Sequence, residues 1–389
     1  MAPVLGTLAP SVYRSAQPVV SFADAAHLAD KFGTPLLVVS KSAVARNYHA
    51  MRAGLPGVEL FYAAKANPDG HILSTLAQLG SSVDVCSHRE ALAALAAGFS
   101  PEMMIHTHPC KTPSNLVDCY AEGIRWFTFD SASELPKLIR YAPDANLLLR
   151  LAVTTSSSKI NLSAKFGASV DDAFDLIQQG RFAGLNVRGM SFHVGSQCER
   201  PEDFESALRQ ARQVWDEAAR AGVALEVLDI GGGFPAPYRN QVLTLESYCD
   251  SLANALEATF GDLSIRIIAE PGRGICADTV TLVTRVIGKS IRHGMPWYFI
   301  DDGLYGSFSG IVFDHADFPL MAEGHDERPL SPCVVAGPTC DSSDVVARDQ
   351  LLPDLSVGEL LLVPSMGAYT SASASGFNGL DIARSIGIE

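Results

Sequence analysis

The sequence of 389 residues lacks the features that mark membrane, secreted and nucleic-acid-binding proteins. No apolar run reaches the length needed to cross a bilayer, and the opening stretch MAPVLGTLAPSVYRS lacks the apolar core of a signal peptide. No basic stretch is present and the net charge is -14. We therefore expect no binding to nucleic acid or to an anionic membrane.

The sequence also lacks paired cysteines. Its cysteines stand singly, without the close spacing of metal-binding pairs, at positions 86, 110, 119, 198, 249, 276, 333 and 340. Such cysteines are expected to be reduced thiols, mostly small core residues, which predicts a cytoplasmic protein. His106 and His108 precede Cys110, but two histidines at strand spacing are weak support for a metal, and we predict no metal site.

What the sequence does contain is a regular alternation of short apolar runs and amphipathic helical patterns. With 47% hydrophobic and 19% charged residues, it can form a large core. From Val58 onward, eight strand-helix units predict an α/β fold with a (β/α)8 TIM barrel. A strand at 34–40 is left over and is expected to belong elsewhere. The eight predicted barrel strands are 58–66, 82–86, 103–107, 125–130, 146–153, 187–193, 225–230 and 265–270.

After Cys276 the pattern changes to strand-like segments separated by turns, such as CVVAGPTC and ELLLVPS. Such a pattern is typical of a second, mostly antiparallel β domain. We predict a barrel domain over residues 33–275 and a β-sheet domain over residues 276–389 that includes residues 1–32. The polar segment 154–167, between two predicted strands, is either a mobile lid or an ordinary solvated loop.

Polar residues recur where the predicted barrel strands end. Lys65 follows the apolar run VELFYAA; a lysine there is usually solvated, but in a dry pocket a lowered pKa makes it a Schiff-base nucleophile. Functional groups of barrels gather at the C-terminal ends of the strands. A capping acid, a core histidine or a glycine turn explains each of the others singly, but not their coincidence: Asp84, Arg150, His193, Ser196, Gly231, Gly232, Gly233, Glu270, Gly272 and Arg273.

These residue types fit one cofactor. Three glycines after the seventh strand let backbone amides approach a phosphate, and Arg273 adds a charged donor. The carboxylate of Glu270 suits a protonated ring nitrogen, and His193 offers a flat ring for stacking. A lysine, an acid, a stacking ring and a phosphate cradle together predict pyridoxal phosphate.

The motifs FYAAKAN, VDVCS, SFHVGSQ, LDIGGGFP, EPGR, DDGLYGSF, FDHA, GPTCDSSD, GAYT and FNG follow one another from about residue 34 onward. In this order they resemble the ornithine decarboxylase-like family of barrel-fold, pyridoxal-phosphate-dependent decarboxylases of basic amino acids. The resemblance implies that Lys65 holds the cofactor covalently, that Glu270 pairs with its pyridine nitrogen and that His193 stacks on its ring. It also implies supporting roles for Asp84 and Arg150, and a phosphate site formed by Ser196, Gly233, Gly272, Arg273 and Tyr369.

For the substrate, the resemblance implies that Cys340 returns a proton to the substrate carbon. Asp314 and Asp341 would receive the distal amine. From the residues alone, the favoured interpretation is a turn cysteine for Cys340 and a surface carboxylate for Asp314. The family also implies a homodimer in which the loop with Cys340 and Asp341 enters the neighbour's barrel.

We therefore predict decarboxylation of an L-diamino acid, ornithine or lysine, to putrescine or cadaverine and CO2. Two departures from the family are Phe313, where animal ornithine decarboxylases have tyrosine, and His108 in place of asparagine. Alternatives of the same fold are decarboxylases of diaminopimelate or arginine. A catalytically inactive regulatory homologue is a remote alternative, since such a protein is expected to have lost Lys65, Cys340 or the phosphate cradle.

Overall fold

The computed structural model of the chain describes residues 12–154, 164–324 and 327–389. Eight parallel strands close into a barrel, with the first strand hydrogen-bonded to the eighth. The predicted (β/α)8 barrel is therefore confirmed. Strands one to eight of the barrel are Val58–Ala63, Ser82–Val85, Met104–His106, Trp126–Phe129, Asn146–Leu151, Asn186–Phe192, Val227–Asp229 and Arg266–Ala269.

The sequences of the barrel strands are apolar runs because the strands are buried on both faces. In the fifth strand, Leu147 and Leu149 join the main core, whereas Leu148 between them belongs to a separate small cluster. That cluster also takes one side chain from each of the first, third, seventh and eighth strands, namely Phe61, Ile105, Val227 and Ile268. Alternating side chains thus fill the barrel on one side and contact the surrounding helices on the other.

Helices follow the first seven strands at Gly70–Gln78, His88–Ala96, Pro113–Ala121, Leu135–Tyr141, Val170–Phe182, Glu202–Arg220 and Leu245–Phe260. Several begin at a Ser or Thr whose hydroxyl accepts a backbone N–H, as Ser87 and Thr244 do. Only the short helix Arg273–Cys276 follows the eighth strand. The helix Lys41–Gly54, which precedes the first strand, contacts the helices after strands one and seven and completes the ring.

The second sheet contains the strands Leu36–Ser40, Val280–Arg292, Met295–Ile300, Met321–Ala322, Leu330–Ala336, Val345–Pro353, Leu360–Val363 and Arg384–Ile388. Two of its pairings are parallel and the others are antiparallel, in agreement with the predicted mostly antiparallel domain. The helix Phe22–Phe32 contributes to an apolar cluster beside this sheet, and the short helix Gly310–Phe313 lies between two of its strands in the chain.

The strand Leu36–Ser40 is the one left over from the barrel pattern. It pairs with Val280–Arg292 on one side and with Arg384–Ile388 on the other, so all five of its residues are buried. The predicted domain boundary at residue 33 places this strand in the barrel domain, whereas its hydrogen bonds join it to the second sheet. The other domain boundaries stay predictions. Two short strands, Tyr13–Arg14 and Val242–Leu243, pair separately.

Across the described ranges, none of the helices combines the length and the apolar character required to span a membrane.

A substitution at Gly189 can test how closely two barrel strands approach each other. Gly189 in the sixth strand pairs with Val227, and a Cβ added to it would lie 1.9 Å from the carbonyl oxygen of Val227. Gly189→Ala is expected to lower the free energy of unfolding by about 1–3 kcal/mol, because the two strands must separate. Denaturant unfolding measures this, with Gly70→Ala as the control, since nothing lies within 4 Å of a Cβ there. Equal losses in both variants would contradict the close contact.

Candidate active site

The C-terminal rim of the barrel surrounds a small cavity. Its walls come from the ends of the first, sixth, seventh and eighth barrel strands and from the turn with Tyr369, which connects the last two strands of the second sheet. Most of the residues predicted to hold the cofactor line it. The lining consists of Ala63, Lys65, His193, Ser196, Gln197, Gly232, Gly233, Phe234, Glu270, Gly272, Arg273 and Tyr369.

Lys65 lies in a 3-10 turn, Ala64–Ala66, and not in the predicted strand 58–66. The strand ends at Ala63, whose N–H bonds to the carbonyl of Pro271 instead of to a neighbouring strand. The Lys65 ammonium forms an ion pair with Asp84, and its Nζ lies 3.8 Å from Oε2 of Glu270. Burial alone would lower the lysine pKa, but these carboxylates outweigh it and raise the pKa well above its usual range. The expectation of a lowered lysine pKa is therefore wrong for this structure.

Behind the lysine lies a group of buried carboxyl groups. Asp84 is fully buried in the second strand and accepts a hydrogen bond from the hydroxyl of Thr107. Asp229, at the end of the seventh strand, is also fully buried and accepts the N–H of Gly231 at 2.8 Å. Burial and the negative charge of Glu270 raise the Asp229 pKa well above its ordinary value. Burial and the charge of Asp84 raise the Glu270 pKa as well, but the ammonium of Lys65 opposes that rise. We infer that Asp229 is the acid that holds a proton at neutral pH.

His193 directly follows the sixth strand and its ring is neutral. Its Nδ1 accepts the N–H of Gly195 at 3.0 Å. Burial, together with the positive charges of Arg150 and Lys65, lowers the His193 pKa well below its usual range. Arg150 lies in the fifth strand with its guanidinium 5.5 Å from the ring centre of Phe166. A neutral, fixed imidazole at the cavity wall can offer its face to a flat ligand.

Three glycines on the rim have no room for a side chain. A Cβ on Gly232 would lie 2.6 Å from the carbonyl oxygen of Glu270, and one on Gly233 would lie 2.6 Å from that of Gly195. On Gly272 it would lie 2.8 Å from the Cβ of Ala66. Gly233 also has a φ of +112°, which residues with a side chain rarely adopt. The close packing of the rim therefore requires glycine at these positions, and a backbone without side chains lets amide groups approach a phosphate closely.

Arg273 supplies the charge for such a phosphate. Its guanidinium is buried and donates to Ser196 at 2.7 Å, while its Nε is a buried donor without a hydrogen-bond partner among the described residues. The same guanidinium lies 4.8 Å from the ring centre of Tyr369. Tyr369 has a φ of +54° and donates its N–H to the carbonyl of Ala66, so the turn that contains it is fastened to the lysine turn. The residues present therefore fit pyridoxal phosphate.

The two acids predicted for the substrate are in different places. Asp314 is buried and pairs with Arg273, with 2.6 Å between its Oδ2 and the guanidinium nitrogen. Asp341 accepts a hydrogen bond from the hydroxyl of Tyr305. This bond, with others from Ser343, lowers the Asp341 pKa. Asp314 thus touches the phosphate arginine, which the sequence did not indicate.

Cys340 lies away from the lysine within the chain. It is exposed, and among the described residues it does not line the cavity around Lys65. Its N–H donates to Oδ1 of Asn378 at 2.9 Å. Asn378 has a φ of +59°, a conformation that asparagine tolerates better than most residues, and its neighbour Phe377 stacks on Tyr305 at 4.2 Å. The loop with Cys340 and Asp341 is therefore held in place although it does not reach Lys65.

The possible lid lies mostly outside the described residues, since only the ends of segment 154–167 are described. At its far end, the N–H of Gly167 donates to Asp130 at 2.9 Å.

Phe313 is 68% exposed beside Asp314. In the described part of the chain, no three His, Cys, Asp or Glu side chains are grouped so as to hold a metal ion. The prediction that no metal is bound stays a prediction.

Four residues that contact the predicted site residues have no role predicted by the sequence. Asp229, Tyr305 and Asn378 lie within the motifs LDIGGGFP, DDGLYGSF and FNG, respectively. Tyr238, whose hydroxyl bonds to Arg273, lies just beyond the glycines. A buried acid at a strand end was the available signal for Asp229, whereas nothing in the sequence pairs Tyr238 with Arg273.

The fold and the site define a class: barrel enzymes that hold a phosphorylated, lysine-linked cofactor at the rim. The sequence model described as "Pyridoxal-dependent decarboxylase, pyridoxal binding domain" matches residues 41–277. The chain belongs to this family of pyridoxal-dependent decarboxylases. The predicted family and the predicted cofactor, pyridoxal phosphate, are confirmed.

Named relatives agree with this membership. The lysine/ornithine decarboxylase of Selenomonas ruminantium is 41% identical over 360 residues, which cover 92% of this chain and 91% of that protein. The ornithine decarboxylase of Schizosaccharomyces pombe is 37% identical, with coverages of 89% and 82%. The crystal structure of a lysine/ornithine decarboxylase from Vibrio vulnificus, complexed with putrescine, has a TM-score of 0.89 at 38% identity and covers 95% of this chain and 99% of that one. The predicted class of activity, decarboxylation of a diamino acid, agrees with these relatives.

The protonation of Asp229 can be tested through stability. Above its ordinary pKa of 3.8 the unfolded carboxyl loses a proton that folded Asp229 keeps, so this residue makes stability fall as pH rises. Asp229→Asn removes that dependence and still accepts the Gly231 N–H. Between pH 5 and 7 the variant should therefore gain stability relative to the wild type, by at most about 1.4 kcal/mol per pH unit.

Denaturant unfolding at several pH values measures this gain, with the exposed Asp175→Asn as the matched control. A stability difference between Asp229→Asn and the wild type that does not change with pH would mean that Asp229 is ionised in the folded protein.

Proposed function

We propose that the protein decarboxylates L-ornithine and L-lysine to putrescine and cadaverine, with pyridoxal phosphate as its cofactor. The observation that carries this proposal is the joint presence of a cofactor site around Lys65 and an anionic carboxylate, Asp341, directly after Cys340. A carboxylate held ionised by the Tyr305 hydroxyl suits a substrate whose far end is an ammonium. The named lysine/ornithine decarboxylases support the same substrate class.

Each rim residue has a separate task in this reaction. When bound, pyridoxal phosphate accepts the electron pair released as the bond between the substrate Cα and its carboxylate breaks. Glu270 would hold the proton on the pyridine nitrogen, and the neighbouring Asp229, whose pKa is raised well above its ordinary value, would be the acid that stays protonated. His193 would offer the ring a neutral imidazole face. Lys65 would supply the amine that fixes the cofactor, with Asp84 as the acid beside it.

The phosphate would be held by Ser196, Gly233, Gly272, Arg273 and Tyr369. After CO2 leaves, the Cys340 thiol donates a proton to the substrate Cα. Asp341 pairs with the distal ammonium, and Asp314 assists while it also neutralises Arg273.

The length of the substrate is weakly selected. Ornithine and lysine differ by one methylene, which is worth only about 1–3 kcal/mol in a pocket. Phe313 removes a hydroxyl from the distal pocket relative to a tyrosine, and so offers no polar group that would measure the chain length. Activity on both amino acids is therefore expected.

We further propose that the active site is shared between two subunits of a homodimer. The support is that Cys340 is exposed and, among the described residues, separate from the cavity around Lys65. A two-fold interface would bring the Cys340 loop of each subunit to the Lys65 cavity of the other, giving two composite sites. A cytoplasmic location is proposed as well, because all eight cysteines are free thiols.

The activity and the lysine assignment are tested together. The purified protein, assayed with ornithine, lysine, arginine and diaminopimelate, is expected to release CO2 from the first two. Lys65→Ala should abolish turnover while pyridoxal phosphate still binds non-covalently, because the phosphate cradle is unchanged. Lys137→Ala, which removes an amine elsewhere in the chain, is the control. Preferred turnover of arginine or diaminopimelate would overturn the proposed substrate, and borohydride labelling of another lysine would overturn the role of Lys65.

Subunit mixing tests the shared site. Lys65→Ala and Cys340→Ala homodimers should each be almost inactive. After random exchange, half of the dimers are hybrids with one intact site of two, so roughly one quarter of wild-type activity should return.

Cys110→Ala, at another exposed cysteine, is the matched control and should stay active by itself. If activity did not return although exchange was demonstrated by differently tagged subunits, both residues would serve the same chain.

A further inference from the structure

The buried guanidinium of Arg273 has three hydrogen-bonded partners from three separate segments. One terminal nitrogen donates to Ser196 at 2.7 Å and lies 2.6 Å from Asp314. The other donates to the hydroxyl of Tyr238 at 2.5 Å. Ser196 belongs to the phosphate cradle and Asp314 to the segment that follows the short helix Gly310–Phe313. Tyr238 is the partner to which neither the family motifs nor the proposed reaction gives a role.

Tyr238 is itself held by aromatic packing. Its ring packs edge-on against Phe318 at 5.5 Å and 77°, and Phe318 packs in the same manner against Phe308 at 5.9 Å. Phe318 lies four residues after Asp314 in the chain. The Tyr238 side chain is almost fully buried, and burial raises its pKa to about 12, so the hydroxyl stays neutral.

We propose that Tyr238 is a positioning residue that orients Arg273 between the cofactor phosphate and the acid of the substrate pocket. By accepting a hydrogen bond from one terminal nitrogen of Arg273, the Tyr238 hydroxyl fixes the rotation of the planar guanidinium. The other terminal nitrogen then donates to Ser196 and pairs with Asp314. The Nε–H remains available as a donor to the phosphate. The proposal rests on the proposed function for the substrate, but its effect on the cofactor is independent of which amino acid is decarboxylated.

The Tyr238 hydroxyl matters because the Arg273 guanidinium could adopt a different orientation in its absence. Without it, among the described residues, two nitrogens of Arg273 would have no hydrogen-bond partner, and a buried donor without a partner is unfavourable. The guanidinium would be free to turn its fork onto both oxygens of Asp314. That rotation would weaken the phosphate site and neutralise Asp314 more completely, so binding of cofactor and substrate would be impaired together.

Tyr238→Phe is the decisive variant because it removes only the hydroxyl and keeps the ring on Phe318. Tyr298→Phe is the matched control. Tyr298 is equally buried, and its hydroxyl bonds to Asp354 in the second-sheet domain, away from Arg273. Three quantities are measured: the Kd of pyridoxal phosphate for the cofactor-free protein by absorbance titration, the unfolding midpoint, and kcat and KM for ornithine and lysine at saturating cofactor.

In Tyr238→Phe the Kd of pyridoxal phosphate should rise by about 10- to 100-fold, as expected for the loss of a hydrogen bond to a charged group. KM should rise as well, while kcat should stay within about threefold, which is the signature of lost binding and not of lost chemistry. In an Arg273→Met background, the added effect of Tyr238→Phe on the cofactor Kd should vanish, because the tyrosine acts through the arginine.

An unchanged cofactor Kd in Tyr238→Phe, or an effect that persists in the Arg273→Met background, would overturn the proposal. A rise in Kd matched by Tyr298→Phe would also overturn it, since general destabilisation would then be the cause. If the wild type bound pyridoxal phosphate but decarboxylated neither ornithine nor lysine, the proposed function would fail. The cofactor titration would still decide the role of Tyr238.

Discussion

The ion pair between Lys65 and Asp84 is the interaction on which the rest of the site depends. It joins the ends of two neighbouring barrel strands and places an ammonium against a buried carboxylate. Glu270 adds a second carboxylate at 3.8 Å. A third negative charge in this group is unfavourable, and burial together with the charge of Glu270 raises the pKa of Asp229 well above its ordinary value. Burial and Asp84 raise the pKa of Glu270 as well, and the positive charges of Lys65 and Arg150 oppose that rise.

The second sheet contributes to the site through a few close contacts at the barrel rim. Gly367 lies so near Cys276 that an added Cβ would be 1.8 Å from the carbonyl oxygen of Cys276. The amide of Asn67, just after the lysine turn, donates to the carbonyl of Gly367 at 2.9 Å. These contacts fix the turn that contains Tyr369 above the lysine. The cofactor site is thus formed by both domains, and it depends on their packing as much as on the barrel.

The barrel and most of the rim could be predicted because both follow from local pattern. Apolar runs alternating with helical patterns define the strands, and strand ends in a barrel converge. The position of Lys65 in a turn could not be predicted, because the strand ends where Ala63 bonds to Pro271, far away in the sequence. The pairing of Arg273 with Asp314 and Tyr238 depends likewise on contacts between distant segments. Periodicity and motif spacing contain no information on such contacts.

The exposed surface next to Cys340 gives a physical reason to expect a second subunit. Asn378 holds the N–H of Cys340, and its neighbour Phe377 is 40% exposed. Phe313, next to Asp314, is 68% exposed, and Val312 is 50% exposed. Large apolar side chains near functional groups are costly to leave in water, and their burial against a partner is favourable. A dimer interface that covered Phe377 would remove water from the Cys340 loop at the same time, so apolar burial and completion of the proposed shared site would be one event.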